Sequence, residues 1–463
     1  MTITTNNSNT AILPGGSDPT VFDPLEAWYP IYFVDDLDKT KLARFTLLDI
    51  NLVIWWDKSG DTWQVFIDQC PHRLASLSEG RVNEAGWLEC PYHGWAFSGN
   101  GECQVIPQQQ PGGSAHESIR ACVKSYPTAI AQGLLFVYPG IQENAATTPV
   151  PIIKPMAEDP DAWVCLNIFR DLPYDALTLL ENVIDASHIP YTHHKTVGNR
   201  SNVAPVELEI TESGKQGFKG IWIEGPRKGK LGTQYTTFTA PCLIWHDLTS
   251  QQFGRTLTVV YATPISKGKC RLFARFPFKF SAPLPRFLIK LTPTWYSHLN
   301  QNSVLEDDQI FLHHQERYLA ALGGSNNYSK AFYLPTKADL YVSELRQWVN
   351  LYHADPFSHQ DLPSALSQEQ LLDRYHSHTK NCRSCSQALG IIKQIKQIAI
   401  AIPILTWVIM PLLSLFISLP SNLIAVSLSG TLLVFSLIWW QLNQIEPKFY
   451  LGKEIPPRNL SKN

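Results

Sequence analysis

Cys70-Pro71-His72, then seventeen residues, then Cys90-Pro91-Tyr92-His93 is the stretch on which the reading of this chain turns. Each half offers one thiol and one imidazole, spaced Cys-x-His and Cys-x-x-His. Four such donors suit a [2Fe-2S] cluster with both thiolates on one iron and both imidazoles on the other. Replacing two thiolates with neutral rings removes negative charge and raises the reduction potential, so the cluster can take electrons from a ferredoxin and hand them on. A Cys2His2 zinc finger would keep its cysteines together and its histidines together on a helix. Strand-like Thr62–Ile67 leads into the first loop, Trp87-Leu88 leads into the second, and Gly94-Trp95-Ala96-Phe97 leaves it for the turn Ser98-Gly99-Asn100-Gly101. The pattern predicts two hairpin tips gripping one cluster.

Electrons from such a cluster need an acceptor, and Glu181-Asn182-Val183-Ile184-Asp185-Ala186-Ser187-His188-Ile189-Pro190-Tyr191-Thr192-His193 offers one downstream. Non-haem oxygenases hold Fe(II) with two histidines and one carboxylate, leaving positions open for dioxygen. Asn182, Asp185 and His188 are three apart, so a helix would stack them on one side. His193 would swing away on a regular helix, and Pro190 can distort the turn enough to bring both imidazoles to one metal. The bland alternative is a helix with a polar stripe beside a proline break; the upstream motif gives the pair its weight. His194 is read as a bystander. For the carboxylate, Glu306-Asp307-Asp308 is the best run, with Asp308 first and Asp307 second. Three acids before an apolar stretch also suit a solvated helix start.

Together the two motifs resemble the α-subunits of Rieske non-haem iron oxygenases. Within that group the chain resembles the pheophorbide a oxygenase branch, which includes chlorophyllide a oxygenase and the chloroplast translocon-associated Rieske protein. Four features carry the closer likeness: the run from Glu181 to His193; Trp295-Tyr296-Ser297-His298 followed by Leu305-Glu306-Asp307-Asp308 and Leu312-His313-His314-Gln315-Glu316; Asp373-Arg374-Tyr375, His378 and Cys382-Arg383-Ser384-Cys385; and a terminal pair of apolar helices. The resemblance implies Cys70, His72, Cys90 and His93 as cluster ligands, and His188, His193 and Asp308 as iron ligands. It also implies that Asp185 links a cluster histidine of one subunit to an iron ligand of its neighbour, in a head-to-tail homotrimer; Asp185 and Asn182 are the candidate catalytic residues. The activity it implies is oxygen insertion, with O2 and ferredoxin electrons, into a lipophilic ring such as a pheophorbide or chlorophyllide.

Cys382 and Cys385 have three readings: a redox pair open to thiol exchange, half a zinc site with His376 or His378 nearby, or two ordinary surface thiols. The expected fold is α+β, with these divisions: a flexible arm over 1–25; a β-sandwich Rieske domain over 26–142; a catalytic domain of antiparallel sheet and helices over 143–375, entered through Pro149-Val150-Pro151; the Cys-x-x-Cys linker over 376–396; a transmembrane helical hairpin over 397–441; and a tail over 442–463. Leu257-Thr258-Val259-Val260-Tyr261 is the clearest strand of the catalytic sheet.

The hairpin rests on charge. Residues 397–445 contain no Asp, Glu, Lys or Arg. Spans over 398–418 and 423–440 match the roughly 20 residues needed to cross a bilayer, with Leu419-Pro420-Ser421-Asn422 as the turn. Lys393 and Lys396 precede the pair, and Lys448 and Lys453 follow it, which predicts that the N-terminal body lies on the cytoplasmic side or its stromal equivalent. Residues 1–18 show neither a secretory signal nor a transit peptide, so a full-length product starting here would be expected to have a bacterial source. Lys+Arg is 38 and Asp+Glu is 40, so no basic footprint for nucleic acid exists. Nine cysteines without dense spacing suit a reducing compartment. Two rival functions are a non-catalytic electron carrier or redox sensor, and a quinol-oxidising subunit. The iron motif opposes the first. The C-terminal anchor and Arg73, where a loop cysteine would stand, oppose the second.

Overall fold

The computed structural model describes residues 21–250, 254–417 and 420–460, so most of the expected N-terminal arm lies outside the described residues. Three antiparallel sheets build the first part of the chain. Strands β1 (Tyr29–Phe33), β11 (Leu134–Val137) and β10 (Thr128–Ala131) form one, in the order β1-β11-β10. Strands β2 (Ala43–Leu47), β3 (Ile50–Asp57), β4 (Thr62–Ile67) and β9 (Ser125–Tyr126) form the second. Four short strands, β5 (Arg81–Val82), β6 (Leu88–Glu89), β7 (Ala96–Phe97) and β8 (Cys103–Val105), form the third. Alternation explains β4: Trp63 and Val65 face the main core, while Phe66 turns to a separate core with Val53, Trp55, Leu77, Leu88 and Phe97. Cys70 and Cys90 belong to this smaller core, so the cluster loops are seated on packed apolar side chains.

The strands expected around those loops form, with one difference. The second loop joins β6 to β7 as a true hairpin tip, but the first runs from β4 into β5, which belong to different sheets. Tight local turns fix both loops instead. The amide of Leu74 donates to the Cys70 carbonyl at 2.8 Å, and that of Gly94 to the Cys90 carbonyl at 3.1 Å. The residue closing each turn is left-handed, Leu74 at φ 59° and Gly94 at φ 73°.

Short helices α1 (Gln142–Ala145) and α2 (Lys154–Glu158) lead into a seven-stranded antiparallel sheet. Its strands are β12 (Val164–Leu172), β13 (Glu209–Gly214), β14 (Gly217–Trp222), β15 (Gln234–Thr239), β16 (Leu243–Ser250), β17 (Gly254–Ser266) and β18 (Lys269–Lys279). Their order is β12-β18-β17-β16-β15-β14-β13. The stretch Leu257–Tyr261 lies inside β17 as the sequence predicts. Helix α3 (Ala176–Ile184) packs Leu179, Leu180 and Ile184 into the core beside this sheet. After one-turn α4 (Ile189–Thr192) and, beyond the sheet, α5 (Pro283–Leu291), the 28-residue α6 (Thr294–Ala321) crosses beside β12. Helices α7 (Tyr328–Ala331), α8 (Leu340–Leu351) and α9 (Gln368–Leu371) complete the body, with α8 against α3.

Two long apolar helices end the fold, α10 (Arg383–Phe416) and α11 (Ser421–Ile445), both long enough to cross a membrane by length and composition. The first differs from expectation: it starts fifteen residues before residue 398, so Lys393 and Lys396 sit inside it rather than ahead of it. Its first turns bury Cys385, Ala388, Leu389 and Ile392 against the body, whereas Leu405, Val408 and Leu412 are exposed. Lys396 donates to Asn443 at 2.8 Å and pairs with Glu446 at 2.7 Å, stapling the two helices at their base. The chain then returns to the body: Thr379 donates to the Phe449 carbonyl at 2.7 Å, and the amide of Gly452 to that of Leu372 at 2.9 Å.

Candidate active site

In the cluster loops the two histidine rings meet at 4.6 Å between centroids, and the His72 ring stacks on Trp95 at 4.7 Å with 5° between planes. The Nδ1 of His72 is buried without a hydrogen-bond partner, which is what a nitrogen reserved for a metal presents. Cys70 and Cys90 are buried together, at 1% and 2% exposure. Burial first, and then the Cys90 thiol, push Cys70 up to about 12. Two thiolates could not persist there without a cation to neutralise them, so the donor set fits an iron–sulfur cluster.

The second site begins where α3 stops. Asn182, Asp185 and His188 do not share one continuous helix, contrary to the sequence expectation, because Asp185 is extended at φ -67° and ψ 109°. Its carboxylate accepts from both the amide and the hydroxyl of Ser187 at 2.7 Å, a local turn that competes with the helix. The break aims His188 inward, and its Nδ1–H donates to the Asp185 carbonyl at 2.8 Å, leaving Nε2 free. Helix α4 then spans the interval to His193 in a single turn with Pro190 near its start. The two imidazole rings lie 5.2 Å apart by centroid.

Helix α6 supplies the acids, and they are not a solvated helix start. Glu306, Asp307 and Asp308 sit mid-helix and are buried to 5%, 1% and 5% exposure. Glu306 turns to β12 and the C-terminal segment, where Arg170 reaches it at 2.8 Å and Arg374 at 2.6 Å. Asp307 accepts from His193 Nδ1 at 3.3 Å and from the Thr196 hydroxyl at 2.8 Å. Asp308 lies across the ring, 3.2 Å from His193 Nε2, with the Asn182 amide donating to it at 3.4 Å. Donor atoms of His188, His193 and Asp308 all lie within 4.8 Å of one another. Burial raises the Asp308 carboxyl above its usual range against the pull of both histidines, a cost that a bound cation would offset. This set fits Fe(II), which takes two imidazoles and a carboxylate.

Several residues to which the sequence reading gave no role also contribute. Glu181 pairs with Arg346 of α8 and accepts from Gln315 of α6 at 3.0 Å, tying three helices together behind the histidines. Arg458, beyond the apolar hairpin, donates to the carbonyls of Thr192 at 3.1 Å and Asp307 at 2.5 Å. His194 accepts from the Arg200 amide at 3.3 Å, outside the donor set. Cys382 and Cys385 are buried at 1% and 0% exposure, which excludes ordinary surface thiols. His376, considered as their partner, is exposed and bonded to Asp373 instead.

A cluster-bearing β domain joined to an antiparallel sheet with a His-His-carboxylate pocket defines a Rieske-type oxygenase. The Rieske [2Fe-2S] domain profile matches residues 27–127 and the pheophorbide a oxygenase profile residues 238–326. Pheophorbide a oxygenase of Oryza sativa subsp. japonica is 37% identical over 83% of this chain and 78% of its own length. Flavonoid 8-hydroxylase 2 of Ocimum basilicum is 35% identical over 79% and 74%. Among solved structures, dicamba monooxygenase bound to dicamba superposes with a TM-score of 0.56 at 20% identity, covering 71% of this chain and 97% of that one. The chain belongs to the pheophorbide a oxygenase family. It is an oxygenase with a [2Fe-2S] cluster and a mononuclear iron.

Proposed function

We propose that the protein is a membrane-anchored oxygenase that uses O2 and ferredoxin electrons to oxidise a lipophilic ring, a chlorophyll-derived tetrapyrrole of the pheophorbide a or chlorophyllide a type. The observation that carries the chemistry is the convergence of His188, His193 and Asp308 on one point. These are the proposed iron ligands, and Cys70, His72, Cys90 and His93 the proposed cluster ligands. Bound iron with open positions supplies dioxygen activation. The chain's own groups do the positioning. The Asp185 carbonyl holds the His188 tautomer, Asp307 holds that of His193, and Asn182 steadies the Asp308 oxygen that faces it.

Identity to the rice pheophorbide a oxygenase supports the substrate class. The exposed apolar lengths of α10 and α11 support an anchor, and Lys393, Lys396, Lys448 and Lys453 near its base favour a body on the cytoplasmic or stromal side. A substrate that partitions into lipid suits such an anchor. Leu74 and Tyr92 stand exposed at the tips of the two cluster loops, at 69% and 60%, which suits docking of the cluster on a neighbour. In a head-to-tail trimer that neighbour would offer Asp185, whose side chain is 27% exposed beside His188. The test is anaerobic reconstitution with ferredoxin and its reductase, followed by turnover of pheophorbide a and chlorophyllide a under labelled dioxygen. Label should enter the tetrapyrrole. Dioxygen consumption without label in any tetrapyrrole would remove the substrate assignment and leave the oxygenase class standing.

A further inference from the structure

A second buried donor set lies apart from both iron sites. The inner donor atoms of His298, His378, Cys382 and Cys385 all lie within 4.8 Å of one another, and all four residues are buried. His298 Nδ1 is 3.1 Å from His378 Nε2 and 3.5 Å from each sulfur, and His378 Nε2 is 3.3 Å from Cys385 Sγ. A tetrahedral zinc ion with bonds of about 2.3 Å to sulfur and 2.0–2.1 Å to nitrogen would set its ligands about 3.3–3.8 Å apart. We propose that these four side chains bind one structural zinc ion.

The outer nitrogens make the case independently. His298 Nε2–H donates to the Asn167 carbonyl at 2.7 Å, and His378 Nδ1–H donates to the Phe169 carbonyl at 2.6 Å. Asn167 and Phe169 are two apart on β12, so one strand edge sets both tautomers. Each ring therefore turns a lone pair inward, and the two lone pairs face one another across 3.1 Å. Two acceptors at that distance repel unless positive charge lies between them. Metal-binding histidines characteristically give the second nitrogen to a carbonyl or carboxylate in this way. Binding releases one proton from each thiol, and the dication with two thiolates is neutral overall, which suits a site without solvent. With all four positions filled by protein, the ion has no open position and serves structure. It would join β12, α6, the turn at 375–379 and the first turn of α10. Burial of both sulfurs also denies a partner thiol the access that exchange requires.

The site is read on the full-length protein in detergent, prepared without a metal-affinity tag, by elemental analysis and zinc-edge X-ray absorption. The expected result is one zinc per chain with two sulfur and two nitrogen neighbours, and zinc lost from the Cys382→Ser/Cys385→Ser variant while the reduced-cluster resonance persists. Wild-type absorption needs no variant, so a folding failure of the double substitution leaves the test intact. Zinc absent from the wild type, zinc without sulfur neighbours, iron in its place, a Cys382–Cys385 disulfide, or zinc retained by a folded variant would each overturn the proposal. Iron is counted separately, so failure of the oxygenase reading is distinguishable.

Discussion

Asp307 and Asp308 are adjacent, both buried and both within reach of His193, yet they should fail in different ways when replaced. Asp308 faces Nε2, on the side where His188 also converges, so Asp308→Asn removes a charged ligand. Iron content should fall from about three to about two per chain, with the cluster intact and oxygenation abolished. Asp307 lies behind the ring at Nδ1, 3.3 Å away, and holds it by one charge-assisted hydrogen bond. Such a bond contributes about 1.5–3 kcal/mol. At about 1.4 kcal/mol per tenfold, its loss predicts roughly 10- to 100-fold weaker iron binding, the range found for partners of metal-bound histidines. Asp307→Asn should therefore regain the third iron when Fe(II) is supplied in excess, whereas Asp308→Asn should not. The assay is an anaerobic Fe(II) titration read by elemental analysis, with the cluster's visible absorption as the internal count. If Asp308→Asn refills at wild-type affinity while Asp307→Asn stays empty, the two roles are reversed and the geometry has been misread.

Glu306 neutralises Arg170 and Arg374, so Glu306→Ala should destabilise the body by about 3–5 kcal/mol, seen as a lowered Tm, and Glu306→Gln by less. His246 is buried and pushed down to about 4, with Nε2–H donating to Val183 at 3.0 Å and Nδ1 accepting from Thr236 at 2.9 Å. Its folded value is depressed, so its contribution is complete above about pH 6.5 and lost as pH falls toward 4, by at most about 3 kcal/mol. Thermal unfolding at pH 7 and pH 5 should show a smaller loss for His246→Gln than for the wild type. Replacing residues 398–440 with a short Gly-Ser linker should release the protein from vesicles while iron content stays unchanged, because Lys396 and Asn443 already touch. Vesicle flotation decides it, and an edited chain that still floats would refute the anchor.

The cluster loops were legible because their donors are local: a cysteine and a histidine within four residues, twice, between β-forming runs. The two histidines of the candidate iron site stood out for the same reason, but their geometry did not. A periodic reading put Asp185 and His188 on one helix, whereas the Asp185–Ser187 turn ends the helix first. Helical phase hid the acids' roles as well. Glu306, Asp307 and Asp308 look alike as a run, and only their placement mid-helix sends each to a different partner. His298 is invisible beside Cys382 and Cys385 because α6 brings it 84 residues to meet them. Lys393 and Lys396 mimic the flanks of a membrane span, since no local pattern says that α10 starts earlier against the body.

Arg458 gives the site an order of assembly. Chains are made from the N-terminus, and this guanidinium follows both apolar helices, yet it closes over Thr192 and Asp307. A nascent body whose hairpin has not yet left the ribosome lacks that last brace, so its iron pocket is finished only once both helices have been made. Synthesis of the apolar hairpin and closure of the pocket thus fall together in time, and a chain stalled before its hairpin would lack the Arg458 brace.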